Sequence, residues 1–357
     1  MQVTPRTPRR ILIVSPWEDF WSMPGKAGVS DDAEFVGRAL TAGHELHFVV
    51  PAGGRFDPAE AHERLHVHPF HNIFPGTAWL PTPLRRLLWM GWFLGPVVDR
   101  AKQVAREVNP ELVMGFSYHG ARAAELLGRI HDIPSLVKHF GVYTAAFFEE
   151  WPRWKYRYKN LETLFGLTRK VDRLVILNDG SRGREAAVRA GFPVERVVFL
   201  LNGIHTEWSR LRFDREAERA RIGAGPGEGL ILFLARLAPF KGTRQLMRVL
   251  PELLAGAGRP LRLVIAGSGE DEAWMRGEAA RLPDPGRVSF LGAVPHDVWP
   301  RLFAAADCFL TLNTYPNMAI PTCEAMVMGC PVVATDVTGT AETVRDGVNG
   351  RLVPAGD

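Results

Sequence analysis

The chain has 357 residues, 46% hydrophobic and 23% charged, which is too long for one ordinary domain and too apolar for extended disorder. Its formal net charge of +4 suits anionic partners such as nucleotide diphosphates or an acidic membrane surface. No Lys/Arg run with interleaved aromatics marks a binding stripe, so nucleic acid is excluded as the expected partner.

The start is basic, but Ile11 to Val14 is too short for a signal-peptide core. No stretch of about 18 apolar residues predicts a spanning helix. Ile11–Val14 predicts a strand, followed by a loop holding Gly25 and Gly28 and by a helix over roughly Asp31 to Thr41. Leu46 to Val50 is the next strand, completing a βαβ opening. Further strands are predicted at 111–114, 135–137, 174–177 and 197–200, with a helix at 121–130. Asn202-Gly203 is a turn signal and the expected domain junction. The Arg- and Glu-rich stretch from Thr206 to Gly229 reads as a linker with a helix. A second series follows, with strands at 230–234, 261–266, 288–291, 308–312 and 332–334 and helices at 243–254, 274–282, 298–306 and 323–328. Strands alternating with helices predict parallel sheets covered on both faces. Cys308, Cys323 and Cys330 lie in apolar surroundings without a Cys-x-x-Cys pair and read as reduced core residues of a cytoplasmic protein.

Several residues are placed to do chemistry. Arg236 and Lys241 follow the strand 230–234 and precede a helix, where an open α/β sheet usually binds its ligand. Two cations there suit a diphosphate, although alone they read as solvated surface charges. Glu324 stands one turn inside a helix opened by Pro321, where it can accept bonds from ribose hydroxyls or simply favour the helix start. Gly267-Ser268-Gly269 is a small-residue turn able to lie against a nucleotide, but a lone Gly-x-Gly is weak evidence. Gly25 and Gly28 either let their loop approach a ligand or merely loosen it. His119 and His139 each follow a strand of the first half and are candidate catalytic residues, with a structural role as the alternative. Asp31-Asp32 has neither the spacing nor the partners of a metal site, and no metal is expected.

Together these motifs resemble family 4 of the GT-B glycosyltransferases, the large group that includes the glycosyl transferases group 1. The likeness is strongest from Val171 onward. It rests on Asn202-Gly203-Ile204, on Ala235-Arg236-Leu237 with Lys241-Gly242, on Ala266-Gly267-Ser268-Gly269, on Phe290-Leu291-Gly292, and on Glu324-Ala325-Met326 with Gly329-Cys330-Pro331. The resemblance implies two Rossmann-like domains facing across a cleft, residues 1–204 on the acceptor side and 205–357 binding the nucleotide sugar. It implies a retaining transfer from a nucleotide-diphosphate sugar, without metal or other cofactor, to a sugar, lipid-linked or small-molecule acceptor. Arg236 and Lys241 would hold the diphosphate and Glu324 the ribose. Backbone at Val294 would meet the base, and the amides of Asn317, Met318, Ala319 and Ile320 would line the donor sugar. The family's second domain continues past the position of Asp357, so the resemblance implies a truncated C-terminal domain.

Three positions depart from the family pattern. Pro316 stands where the first Glu of the Glu-x7-Glu motif is expected, His205 where an Asp is expected, and Phe140-Gly141 where His-Gly is expected. Pro316 supports a second reading, a weak or inactive protein that binds a nucleotide sugar or a partner enzyme. A nicotinamide-dependent dehydrogenase is disfavoured, because no Gly-x-Gly-x-x-Gly follows the first strand. The segment Trp79 to Phe93 combines tryptophans with Arg85 and Arg86 and is either a peripheral contact with the inner face of a membrane or a buried helix.

Overall fold

The computed structural model describes residues 7–15, 30–52, 62–71, 82–139, 142, 154, 157–158, 160–178, 180, 182–201, 203–256, 258–315 and 319–355, without the side chains of 30–34, 82–87, 89–93, 178 and 201. They form two units, one of residues up to Leu201 and one beyond it, Gly180 counting with the second.

The first unit is a seven-stranded sheet. Its strands are β1 (Arg10–Val14), β2 (Glu45–Pro51), β3 (Leu65–Phe70), β4 (Leu112–Phe116), β5 (Ser135–His139), β6 (Arg173–Asn178) and β7 (Val197–Leu201), in the order β3-β2-β1-β4-β5-β6-β7. All pairings are parallel. Strand alternation divides the core cleanly. Leu12, Val14, Val49 and Val113 join one apolar cluster with Val97, Ala101 and Val104 of the helix Thr82–Val108. Ile11, Ile13, Leu46 and Phe48 join the opposite cluster with Val36 and Leu40 of the helix Ser30–Thr41. Of the segment Trp79–Phe93, the backbone from Thr82 lies in the long helix, and Trp79, Trp89 and Trp92 fall outside the described side chains. No helix among the described residues is long and apolar enough to cross a membrane.

The second unit repeats the plan with six strands. They are β8 (Gly229–Leu234), β9 (Leu261–Ala266), β10 (Val288–Gly292), β11 (Cys308–Thr311), β12 (Val332–Asp336) and β13 (Arg351–Pro354), in the order β10-β9-β8-β11-β12-β13. These strands are again parallel. One face packs Leu230, Leu232 and Phe309 against Leu302, Phe303 and Ala325, and the other packs Phe233, Leu263 and Ile265 against Leu246, Leu250 and Met275. The two Rossmann-like α/β units expected from the alternating pattern are therefore present.

Two differences from the sequence reading have clear causes. β3 and β13 are edge strands whose polar residues and prolines hide a strand pattern, and prolines are tolerated there because an edge has an unpaired side. The segment 206–229 is also more than a linker. Trp208 is buried in the core of the second unit, and Asp214 caps the helix Arg215–Arg221 by accepting from the amides of Glu216 and Ala217. Arg219 is only 5% exposed and donates to Ala305 O at 3.0 Å, to Asp307 Oδ2 at 3.2 Å and to Glu228 O. Asp307 also accepts from Leu230 N at 2.7 Å, and these bonds hold its carboxyl below the usual range against the opposing effect of burial.

Candidate active site

In the second unit the chain turns from β8 toward β9 on one side and crosses to β11 on the other, so β8 and β11 flank the topological switch point. Ligands of open α/β sheets bind outside the carboxyl ends of strands at such a point. The loops leaving these strands are bonded to one another. Ala235 N donates to Ala266 O at 3.1 Å, Leu237 N to Ser268 O at 2.9 Å, Asp271 N to Leu237 O at 2.9 Å, and Gly267 N to Gly292 O at 2.6 Å. This close approach accounts for Gly267 and Gly269. A Cβ on Gly267 would lie 1.9 Å from Ala235 O, and one on Gly269 would lie 2.3 Å from Leu237 O. Loop packing alone thus requires both glycines.

Lys241 ends the short turn Pro239–Lys241, and Gly242 follows at φ +79, where a Cβ would sit 2.0 Å from Leu312 O. That contact presses the Lys241 loop against the segment leaving β11. Thr314 N ties the same two loops by donating to Phe240 O at 3.0 Å. Lys241 is half-buried, its Nζ lies 5.4 Å from the Phe240 ring centre, and among the described residues it has no ion-pair partner. Burial pulls its pKa from 10.5 down to about 8. A desolvated cation with no described counter-ion beside a switch point can receive an anion. Arg236 is different: its side chain is 66% exposed and pairs with Glu270 at 3.2 Å. Buried Asp271 anchors the platform from below, accepting from Thr243 Oγ1 and, at 2.9 Å, from Arg244 Nη2. Nothing in its local sequence signals that role.

Glu324 lies in the helix Ile320–Val327, which begins beyond β11 with Pro321 in its first turn. The sequence reading turns it toward an open crevice. Here it is fully buried, with Oε1 and Oε2 at 3.0 and 3.2 Å from Nε2 of His296. The His296 ring packs edge-on to Trp299 at 4.5 Å and against Trp208 at 4.9 Å and His205 at 5.0 Å. His205 stacks on Trp208, and its Nδ1 lies 2.7 Å from Glu207 Oε1. Ligand atoms of His205, His296 and Glu324 lie within 4.8 Å of one another, a grouping with metal-ligand geometry, but each is already engaged in the contacts above. The carbonyl of Val294 accepts from Trp299 Nε1 at 3.4 Å, which ties the expected base-binding loop to the same aromatic group. Ala319 and Ile320 are half-buried at the helix start. Pro316, Asn317 and Met318 lie outside the described residues, as do Gly25 and Gly28. The sequence reading missed His296, although it stands only two residues after Val294.

In the first unit β4 turns sharply into the helix Ser117–His131. Ser117 has φ +56, a Cβ on Gly115 would fall 2.3 Å from Gly120 O, and one on Gly120 would fall 2.3 Å from Val14 O. This turn carries His119 toward His139 at the end of β5, so two candidates distant in sequence are brought together. A Cβ on Gly166 would meet both His139 and Tyr118 at 2.8 Å, so the site needs a glycine. Burial drives the pKa of His119 to about 3 and of His139 to about 4. Both are neutral at ordinary pH and can exchange hydrogen bonds, but neither is a cationic acid there. His139 is 2% exposed.

Residues 214–357 match the family described as glycosyl transferases group 1. The matched region holds every donor-site candidate of the second unit. Over 191 residues the chain is 36% identical to D-inositol 3-phosphate glycosyltransferase of Nocardia farcinica, covering 52% of this chain and 42% of that protein. It is 25% identical over 285 residues to alpha-D-kanosaminyltransferase of Streptomyces kanamyceticus, covering 75% of this chain and 68% of the relative. The alignment thus spans about two fifths of the length of the first of these relatives. The fold is shared over nearly the whole chain. The crystal structure of Anabaena HepE in complex with UDP and glucose superposes with a TM-score of 0.70 at 20% identity, covering 98% of this chain and 86% of that one. Sucrose-phosphate synthase of Thermosynechococcus elongatus superposes with a TM-score of 0.71 at 16% identity over the same shares. Both likenesses place the fold in the GT-B class.

Proposed function

We propose that the protein is a glycosyltransferase that moves a sugar from a nucleotide-diphosphate sugar to an acceptor hydroxyl, with retention of configuration. One observation carries this reading: Lys241, a half-buried cation with no described counter-ion, stands at the switch point of a unit that matches glycosyl transferases group 1. The bond from the anomeric carbon to the phosphate oxygen breaks, its electron pair stays on the phosphate, and the acceptor oxygen bonds the carbon and releases its proton. Negative charge grows on the departing diphosphate, where Lys241 and Arg236 oppose it without a metal ion. Arg236 must exchange Glu270 for the ligand. A ribose that bonds Glu324 has to take the place of the His296 ring. Base contacts fall to the backbone around Val294, and the donor sugar to the helix start at Ala319 and Ile320. The first unit, with His119 and His139, serves the acceptor, a sugar, a lipid-linked sugar or a small molecule. Structural relatives that bind UDP make a uridine donor the first to test.

A thermal-shift panel of UDP, GDP, ADP and NAD, followed by donor hydrolysis and transfer assays, tests the proposal. Stabilisation by one nucleoside diphosphate and sugar transfer from its donor are expected. Tight nucleotide binding without any turnover would favour the second reading suggested by Pro316, a protein that binds the donor and does not use it.

A further inference from the structure

Six of the eleven histidines lie between positions 44 and 71, far from the donor-site residues in sequence. Two of them meet one carboxylate on the two outer strands of the first sheet, and a third meets one of those rings. Glu45 and His47 share a face of β2, two residues apart, and His66 and His68 share a face of β3, with His47 in register with His66. Nε2 of His47 lies 3.3 Å from Glu45 Oε1, and Nε2 of His66 lies 3.1 Å from the same oxygen. Nδ1 of His47 lies 3.1 Å from Nε2 of His68. His47 is 4% exposed, and its Nε2 is buried without a hydrogen bond of good geometry. The strand residue two further along this face, Val49, is in the apolar core. A ring nitrogen buried where the sheet otherwise packs hydrocarbon needs a strong partner.

We propose that Glu45, His47 and His66 form a site for one divalent transition-metal ion, zinc above all. Zinc bonds of about 2.0–2.2 Å to nitrogen and oxygen place tetrahedral neighbours about 3.3–3.5 Å apart, close to the separations seen around Glu45. All three ligand atoms lie within 4.8 Å of one another. The rings of His47 and His66 are stacked, with centroids 4.6 Å apart and planes 18° apart, so both cannot point in-plane at one ion as they stand. His66 is the ring that turns, because its side chain is 39% exposed and that of His47 is 6% exposed. His68 completes the arrangement. When His47 Nδ1 carries the proton and donates it to His68, its Nε2 lone pair faces the ion, which is how outer partners orient ligating histidines. Imidazole and carboxylate together suit zinc, copper or nickel rather than magnesium or calcium. The cluster occupies the amino-terminal halves of β2 and β3, opposite the strand ends where ligands of such sheets bind. Its role is to clip the edge strand β3 to β2, not to act on the donor.

The test uses tag-free full chain stripped with chelator, then given zinc alone. Calorimetry should show one zinc per chain and a raised unfolding temperature, and cobalt in place of zinc should give the intense visible bands of a low-coordinate site. His66→Ala and Glu45→Gln should each weaken zinc binding at least tenfold, and His205→Ala, which breaks the other possible grouping, should bind like wild type. His66 is exposed enough for its variant to fold, and circular dichroism of the metal-free protein checks that. Full zinc affinity in His66→Ala, loss of binding in His205→Ala, or no stoichiometric zinc in the wild type would each overturn the proposal. UDP binding measured in the same variants keeps this result separate from the proposed transferase activity.

Discussion

Lys241 offers a prediction whose size follows from its burial. With its pKa lowered to about 8, the ammonium is about 90% charged at about pH 7 and about 10% charged at about pH 9. A bound diphosphate favours the charged form and returns the pKa toward its ordinary value near 10.4. Binding then takes up about half a proton at about pH 8 and close to one at about pH 9. Because only the charged form binds well, affinity for the nucleotide diphosphate should fall about tenfold from about pH 7 to about pH 9. The diphosphate does not blur this window, since its last ionisation lies near pH 6. Calorimetry at each pH, repeated in buffers of different ionisation enthalpy, counts the protons directly. In Lys241→Arg the charge persists throughout, so the slope and the uptake should both vanish even if affinity drops. Flat affinity and no proton uptake in folded wild type would refute the assignment of Lys241 to the diphosphate.

Three further outcomes follow from the packing. Gly267→Ala, at φ +132 and with its new Cβ 1.9 Å from Ala235 O, should destabilise the second unit by about 3 kcal/mol in denaturant titrations and loosen nucleotide binding with it. Arg219→Ala leaves Asp307 and two backbone carbonyls short of a donor and should cost about 3 kcal/mol by the same measurement, reduced from the value of a sealed pair because Arg215 and Arg259 also reach Asp307. His296→Ala leaves Glu324 buried and unpaired, so the double variant with Glu324→Gln should be less destabilised than the two single variants predict by addition, and a double-mutant cycle should give a coupling of at least about 1 kcal/mol.

The sheets were legible because their central strands are continuous apolar runs, such as Ile11–Val14 and Leu230–Leu234, bounded by glycines and polar turns. The positions of Arg236 and Lys241 at a strand's carboxyl end followed from the same pattern. What escaped was whatever depends on partners far along the chain. The segment 206–229 looked solvated because it is rich in Arg and Glu, yet Arg219 is buried by Asp307, 88 residues away. Glu324 looked open because nothing near it in sequence announces His296, 28 residues earlier. Glu45-x-His47 and His66-x-His68 were not singled out in the sequence, because only the pairing of β2 with β3 turns two short patterns into one cluster. β3 itself was hidden by the residues that make the cluster, since histidines and Pro69 dilute the apolar signal of a strand.

The proposed donor site requires Arg236 and Lys241 to converge on a diphosphate. Calorimetric titration of the preferred nucleoside diphosphate into wild type, Arg236→Ala and Lys241→Ala tests that directly. Arg236 is largely exposed and Lys241 has no ion-pair partner among the described residues, so both variants should stay folded. Each should bind at least about tenfold more weakly, a loss of about 1.4 kcal/mol or more. Wild-type affinity in both folded variants would contradict the donor site and leave only the fold.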